Sequence, residues 1–510
     1  MPVEPIYIPR NIYFRIGDFA KKMIFSPQSG EFAENKYQGL SQRSPRSARV
    51  MQNFSDSDAE NESDAARRYF LSLGAGTHQV PLIDAARRLG FPVVAVDRNL
   101  KAPGFDAAAI QLQCSTFRPR RILEMLGENM TPVPIAGVGC RSFGRAGMTA
   151  AILSHALGTP GNDLKVLRRF QNKRRLKALL AAHGVPMPVA YAFATLDERD
   201  ALRKARGPLL VRPAIGHGKL GLRLLETEID RKRFLQIHLR DNGRLLIEAI
   251  VPGQEVTVLG VVQDGRYAPV CLSDKIVSPA PPLFIELGHD FPASVSGTER
   301  ARIDLIMQTI VTATGLRCGP IVAEFILSAD APETNREDAQ ATAPRDRTPL
   351  LVECAPEIGG EYLADVLLPA AVGRVPDENG ANPLHDLYHD YFEELVRLYT
   401  GGVFRTQKFF ETLAHPTRQV VIRFVPQQAG VIQSLALPAA LEGHHGFLFE
   451  RLLKQPGQRT EISGGNLDRL AVFALSAEYS TEREHILKSE ADDFVRAIQA
   501  QVIYANSEHE

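Results

Sequence analysis

From Tyr69 onward the chain alternates short apolar runs with helix-patterned segments. YFLSLGAG is an apolar run that ends in glycines, THQVPLIDAARRLG carries apolar residues at helical spacing up to Gly90, and FPVVAVD is a second run ending at Asp97. A further run, PIAGV, follows before about residue 160. Strands alternating with helices predict a parallel, doubly wound sheet over 68–160. From Asn172 to about residue 405, helix-patterned and strand-patterned segments mix. Residues 416–510 read as a small α+β unit, with QVVIRFVP and AVFALSAEYS as strands and a helix within Ser480–Tyr504. Two stretches lack the apolar side chains that a core needs. Residues 36–67 are rich in Ser, Arg, Asp, Asn and Glu, and 328–349 (SADAPETNREDAQATAPRDRTP) are almost as polar. Burial there does not offset chain entropy, which predicts a disordered linker and a flexible insertion between two strands. Ahead of the linker stands IYIPRNIYFRIGDFAKKMIF, by pattern a strand or a short amphipathic helix, and Met51 is an alternative start. The expected division is therefore 1–67 as extension and linker, then 68–160, 161–405 and 416–510, without internal repeats.

Composition narrows the function classes. At 510 residues the chain has room for about three or four domains. Lys plus Arg and Asp plus Glu both number 59, so the formal net charge is zero. That balance argues against a broad nucleic-acid surface, which needs clustered cations, and leaves room for one local basic pocket. The five cysteines are far apart and lack zinc-ligand spacing. No apolar run approaches the ~18 residues of a membrane helix. Arg10, Arg15, Asp18, Lys21 and Lys22 interrupt any secretory core near the N-terminus. The expected compartment is the cytoplasm.

Two groups of residues carry candidate chemistry. The first is Gly74-Ala75-Gly76-Thr77-His78-Gln79, with Asp97 twenty-three residues after Gly74. It sits at a strand–helix junction like a dinucleotide fingerprint, but Gln79 stands where that fingerprint has a small residue. A tight turn without a nucleotide is the favoured explanation. The second group is a series in order. NKRRLKALLAAHGVPMP starts a helix at Asn172-Lys173, and PLLVRPAIGHGKLG gives a strand ending in Arg212-Pro213. The loop that follows carries Gly216, Gly218 and Gly221 around His217 and Lys219. Backbone amides of such a loop cradle phosphates, and Lys173 and Arg212 supply cations for them. LLIEAIVPGQEVTV then gives strand, turn and strand, with Glu248 and Glu255. IVAEF and LLVECAP each place one carboxylate, Glu324 and Glu353, inside an apolar strand. A carboxylate is costly to bury unpaired, and two on neighbouring strands make a hard-oxygen magnesium site.

That order resembles the ATP-grasp superfamily, in its carboxylate–amine ligase branch, which includes the L-amino-acid ligases. The resemblance runs from about Tyr69 to residue 500. It rests on SLGAGTHQVPLIDAARRLGFPVVAVDRNLKAPGF, on NKRRLKALLAAHGVPMP with VRPAIGHGKLG, on IEAIVPGQEVTV, and on GLRCGPIVAEFIL with LLVECAPEIGGEYLADVL. PPLFIELGHDFPASV and IRFVPQQAGVIQSL are similar to further segments of that branch. The implied fold is α/β and α+β multidomain: a Rossmann-like pre-ATP-grasp domain, an ATP-grasp domain and a small C-terminal α+β domain. The implied activity joins a carboxylate to an amine through an acyl phosphate, releasing ADP and phosphate. ATP and Mg2+ are the implied cofactors, with Mn2+ as the alternative ion. The implied partners are a small-molecule carboxylate and an amine, and dimers are common in the family. By position, Lys173 and Arg212 would bind phosphates. Gly216, Gly218 and Gly221 would form the loop that brings His217 and Lys219 to the γ-phosphate. Glu248 would accept from the adenine amino group beside Ala249, Ile250 and Val251, Glu255 would hold the ribose, and Glu324 and Glu353 would hold the metal.

Three positions depart from the family pattern. Arg212 stands where lysine is usual, Ala355 where a metal-binding Asn is common, and Glu357 where an arginine is common. Lys275, in SDKI, is a candidate to restore the missing positive charge. Glu357 is compatible with a cationic substrate group, a metal or a partly degenerate site. Two other readings stay open: a carboxylase-type enzyme that activates bicarbonate, and a non-catalytic nucleotide-binding module, which the Glu357 and Ala355 departures favour. An oxidoreductase using the Gly74 turn accounts for none of the central series.

Overall fold

The computed structural model describes residues 68–128, 133–142, 144–216, 221–241, 243–278, 284–329, 346–373, 389–482 and 484–505. The N-terminal extension, its linker and most of the 328–349 insertion lie outside these residues. The chain forms two compact units: one up to Leu164 with Tyr399–Gly402, the other Lys165–Leu398 with the chain from Val403 onward.

The first unit is built on four strands, β1 (Tyr69–Leu73), β2 (Val93–Asp97), β3 (Ile110–Gln113) and β4 (Ile135–Gly139). They lie in the order β3-β2-β1-β4 and all pair parallel, as the alternating pattern predicts. Leu71, Leu73, Val94, Val96, Leu112 and Ile122 fill its core. The Gly74 turn is a structural junction. Gly74 has a left-handed φ of 106°, and a Cβ there would lie 2.9 Å from the Gln79 side chain. Both Asp97 oxygens accept from backbone amides, of Ala75 (3.0 Å) and Asn99 (2.9 Å). The carboxylate that a dinucleotide ribose would need is thus spent on tying the turn to β2.

The second unit contains two larger sheets. Strands β5 (Ala190–Tyr191), β6 (Leu209–Pro213), β7 (Arg223–Leu225) and β8 (Leu245–Ala249) form an antiparallel sheet in the order β5-β8-β6-β7. Helices Leu196–Arg203 and Glu228–His238 begin with capping boxes, Thr195 with Glu198 and Thr227 with Asp230, which satisfy the first amides of each. Phe193, Leu202, Leu209, Phe234 and Ile247 form the core between these elements.

The other sheet has eight strands. They are β9 (Gln254–Gln263), β10 (Arg266–Val277), β11 (Glu286–Phe291), β12 (Cys318–Ser328), β13 (Thr348–Ala355), β14 (Arg418–Val425), β16 (Phe447–Leu452) and β18 (Ala471–Glu478). Short β15 (Gly430–Ser434) joins β17 (Arg459–Thr460) and β19 (Ile503–Tyr504) in a separate sheet. The order β13-β12-β9-β10-β11-β14-β18-β16 carries the central strands into those of the C-terminal region without a break. The join is the β11–β14 pairing, Gly288 to Arg423 through Phe291 to Val420. Gly288 is required there, because a Cβ would fall 2.1 Å from the Ile422 carbonyl oxygen. One face of the C-terminal strands packs helix Glu484–Gln501 through Val421, Phe473, Leu475, Leu487 and Ile498.

Candidate active site

Cross-strand partners in an antiparallel sheet share a face. Glu353 faces Glu324 across β13–β12, and Glu324 faces Thr257 on β9. Two residues earlier on β9, Glu255 faces Lys275 on β10, and Lys275 faces His289 on β11. His289 faces Ile422 on β14. One face of the eight-stranded sheet therefore carries a polar row, opposite to the face that packs helix Glu484–Gln501.

At the β13 end of that row the cations converge from the four-stranded sheet and its helix. Asn172 caps helix Lys173–Ala181 by accepting from the Arg175 amide. Lys173 and Lys177 are four residues apart and so lie on one side of this helix. Lys173 Nζ donates to the Gly216 carbonyl (2.6 Å) and pairs with Glu353 Oε1 (3.0 Å). Lys177 pairs with Glu248 Oε1. Arg212 spans both acids: Nε and Nη2 donate to Glu248 Oε2 (3.1 and 2.8 Å), while Nη1 donates to Glu353 Oε2 (3.0 Å). Its Nη2 also donates to the Val352 carbonyl (3.0 Å). Burial lowers the Lys177 pKa; Glu248 opposes the shift and Arg212 adds to it. Burial opposes ionisation of Arg212 too, but Glu248 and Glu353 outweigh it and raise its pKa. An ammonium has three N–H donors and lacks the planar fork that makes these four hydrogen bonds to three acceptor atoms, so Arg212→Lys is expected to lower stability by about 1–3 kcal/mol. A melting temperature equal to the wild type would refute this.

Further along the row, Lys275 has no exposed side-chain area, unlike a surface lysine. Its Nζ lies 2.6 Å from Glu324, 3.8 Å from Glu286 and 3.9 Å from Glu255. Burial works against its charge, yet Glu286, Glu324 and Glu255 raise its pKa and hold it protonated. Glu286 Oε1 is 2.6 Å from His289 Nε2, and Ser273 Oγ is 3.2 Å from His289 Nδ1. Arg469 closes the cluster from beyond β17. Its Nη1 donates to the Glu286 carbonyl (3.1 Å) and its Nη2 to Glu361 Oε2 (2.6 Å). Burial and then Glu286 push the Glu361 carboxyl up to about 7, with Arg469 opposing.

The structure thus brings together Lys173, Arg212, Gly216, Glu353, Glu324, Lys275 and Glu255. Gly221 takes a left-handed φ of 74° beside Pro213. His217, Gly218 and Lys219 lie outside the described residues. Glu248, the expected adenine contact, lies in a buried ion cluster. Both of its oxygens are engaged by Lys177 and Arg212, because β8 and β6 set these side chains within one buried pocket of charge. The adjoining amides of Ala249 and Ile250 donate to the carbonyls of Val189 (2.8 Å) and Pro208 (3.2 Å). Sequence reasoning missed Lys177, Glu286, His289, Glu361 and Arg469. The four-residue spacing from Lys173 was a usable signal for Lys177.

Among the described residues, no cluster of three or more His, Cys, Asp or Glu side chains is arranged to hold a metal ion. Glu324 and Glu353 remain a directly opposed, partly exposed pair. Two carboxylates fit Mg2+, which keeps waters and takes its remaining ligands from substrate phosphates. Ala355 adds no side-chain oxygen.

No protein-family profile matches the chain. Formate-dependent phosphoribosylglycinamide formyltransferase of Paraburkholderia xenovorans is 30% identical over 211 residues, covering 39% of this chain and 50% of that protein. D-alanine–D-alanine ligase of Gloeobacter violaceus is 31% identical over 119 residues, covering 22% of this chain and 39% of that protein. The chain spans about half or less of the length of the curated relatives it matches. Among solved structures, the L-amino acid ligase from Bacillus licheniformis superposes with a TM-score of 0.62 at 19% identity, covering 86% of this chain and 100% of that one. Phosphoribosylglycinamide synthetase from Anaerococcus prevotii gives 0.59 at 13% identity, covering 86% and 99%. At these identities the structural likeness is one of fold.

Proposed function

We propose, from the premise that this chain belongs to the ATP-grasp superfamily, that it is an ATP-dependent carboxylate–amine ligase. A substrate carboxylate oxygen attacks the γ-phosphorus, the bond to the β-phosphate oxygen breaks, and ADP leaves. The amine nitrogen then attacks the acyl-phosphate carbon, phosphate departs, and the nitrogen loses a proton to leave an amide.

The observation that carries this reading is the shared use of Glu353. Lys173 and Arg212 both pair with it, and it stands opposite Glu324. Phosphoryl transfer asks a protein mainly for positioning and charge neutralisation. This arrangement holds two cations and two carboxylates side by side before nucleotide arrives. Lys173 and Arg212 bind phosphate oxygens in this reading, and residues 216–221 close over them, bringing His217 and Lys219 to the γ-phosphate. The backbone of 249–251 meets the adenine edge, Glu255 holds the ribose, and Glu248 fixes Lys177 and Arg212. Glu324 and Glu353 would hold Mg2+, which supplies charge neutralisation for the transferred group. Lys275 keeps the intervening acids compatible with a bound anion. The proposed division is 68–160 as pre-ATP-grasp domain, 161–405 as ATP-grasp domain and 416–510 as C-terminal domain. No helix among the described residues is long and apolar enough to cross a membrane.

The test is magnesium-dependent phosphate release from ATP, screened over pools of amino acids and small carboxylic acids, with and without bicarbonate. The expected result is release that depends on the pool. Release that depends on bicarbonate alone would replace this reading by a carboxylase. Nucleotide binding without release in any pool would leave a non-catalytic module.

A further inference from the structure

The cations of the polar row are committed to acids: Lys173, Lys177, Arg212 and Lys275 to the glutamates described, and Arg469 to Glu361 and two carbonyls. One arginine on the same face is different. Arg451 on β16 faces Val472, which faces Phe424, and Phe424 lies two residues beyond Ile422, the partner of His289. By register, therefore, Arg451 shares the face of the polar row. Its Nη1 donates to the Tyr362 hydroxyl (3.4 Å), and its guanidinium lies 5.8 Å from the Tyr362 ring centre and 5.7 Å from that of Phe449. Among the described residues it has no acidic partner.

The opposing wall is set by an unusual turn. Glu361 and Tyr362 both adopt left-handed φ values, 60° and 62°, and a π-helical turn, Leu363–Leu367, follows at once. Non-glycine residues held in this region, and isolated π turns, concentrate at functional sites. The turn sends Glu361 to Arg469 and Tyr362 against Phe449 (ring centres 4.9 Å apart) and Phe424 (6.3 Å). Arg469 itself lies 3.6 Å over the Phe424 ring. A continuous path of side chains thus leads from the acidic cluster to Arg451, ending in one guanidinium flanked by aromatic faces.

We propose that Arg451, with Tyr362 and Phe449, forms a subsite for a non-reacting carboxylate on one substrate, most simply the free carboxylate of the amine. This inference rests on the ligase reading above for the role of that substrate. A guanidinium recognises a carboxylate through paired N–H donors, and flanking rings exclude water from the contact. The carboxylate is not the one that is phosphorylated, because β16 lies six strands beyond β12, which carries Glu324.

The test uses the full chain with Mg2+ and a non-hydrolysable ATP analogue. The probes are L-phenylalanine and L-alanyl-L-phenylalanine, each against its C-terminal amide, with dissociation constants from ligand-observed NMR. At least one free acid is expected to bind ~10- to 100-fold more tightly than its amide, the range for a charged hydrogen-bond partner. Arg451→Met should erase that preference, Arg451→Lys should keep part of it, and both should bind the nucleotide analogue like the wild type, which reports an intact fold. Absence of binding by any probe, absence of an acid preference in the wild type, or its survival in Arg451→Met would each overturn the subsite. An acid preference that depends on Arg451, without phosphate release from ATP for any substrate pool, would sink the ligase reading and leave the subsite standing.

Discussion

Lys275→Met is expected to destabilise the second unit by about 3–5 kcal/mol, the cost of removing one partner from a buried ion cluster. Methionine keeps the length of the apolar stem and removes the ammonium with its N–H donors. It leaves Glu324, Glu286 and Glu255, each within 3.9 Å of the lost ammonium, without their common counter-ion. In the wild type the contribution is constant across neutral pH. Lys275 is held above its ordinary pKa, so its stabilisation is full below about pH 10.4 and is lost only as pH rises through its higher folded value. In the variant the three carboxylates take up protons more readily, so the deficit should shrink as pH falls from 8 to 5. Adding Glu324→Gln should return part of the loss, since only two like charges then remain together. The chain has no tryptophan, so unfolding is best followed by circular dichroism. A melting temperature unchanged at pH 8 would show that solvent, not Lys275, balances these acids.

The parts of this site that were legible in the sequence are those whose chemistry conflicts with their surroundings. Glu324 and Glu353 are single carboxylates in otherwise apolar strands, and the structure sets them opposite one another. Asn172-Lys173 reads as the start of a helix, and Asn172 caps it. The parallel strands of the first unit follow from alternating apolar runs, and the Asp97 carboxylate proved to serve the turn rather than a ribose. Other features depend on pairings that local pattern does not encode. Glu286 and His289 are three residues apart, which in a regular strand puts them on opposite faces. The register shifts between Ile276 and Val277, so that Val277 pairs with Glu286 while Ile276 pairs with Gly288. That bulge turns Glu286 to the side of His289. The pairing of Glu248 with Lys177 and Arg212 was not legible, because these partners come from separate elements. Arg469, Arg451 and Glu361 meet only because β14, β18 and β16 extend the central sheet.

Glu324→Gln and Glu353→Gln are each expected to lower magnesium-dependent phosphate release by about 100- to 1000-fold, the scale for losing one electrostatic contact to a reacting group. Glutamine preserves volume, and Arg212 retains Glu248 as a partner in Glu353→Gln, so folding should survive. The two variants then separate metal binding from nucleotide binding. Lys173 and Arg212 both pair with Glu353, so phosphate oxygens must compete with that carboxylate for them. Removing its charge releases both cations. Without magnesium, Glu353→Gln should therefore bind ADP as well as the wild type or more tightly, while the gain in affinity on adding magnesium disappears. Glu324→Gln releases Lys275 rather than the phosphate-facing cations, so it should lose the magnesium effect with no such tightening. Calorimetric titrations of ADP with and without magnesium measure both. Turnover near the wild-type rate in the two variants, or a magnesium effect that persists in both, would remove Glu324 and Glu353 from the metal site and with them the arrangement on which the ligase reading stands.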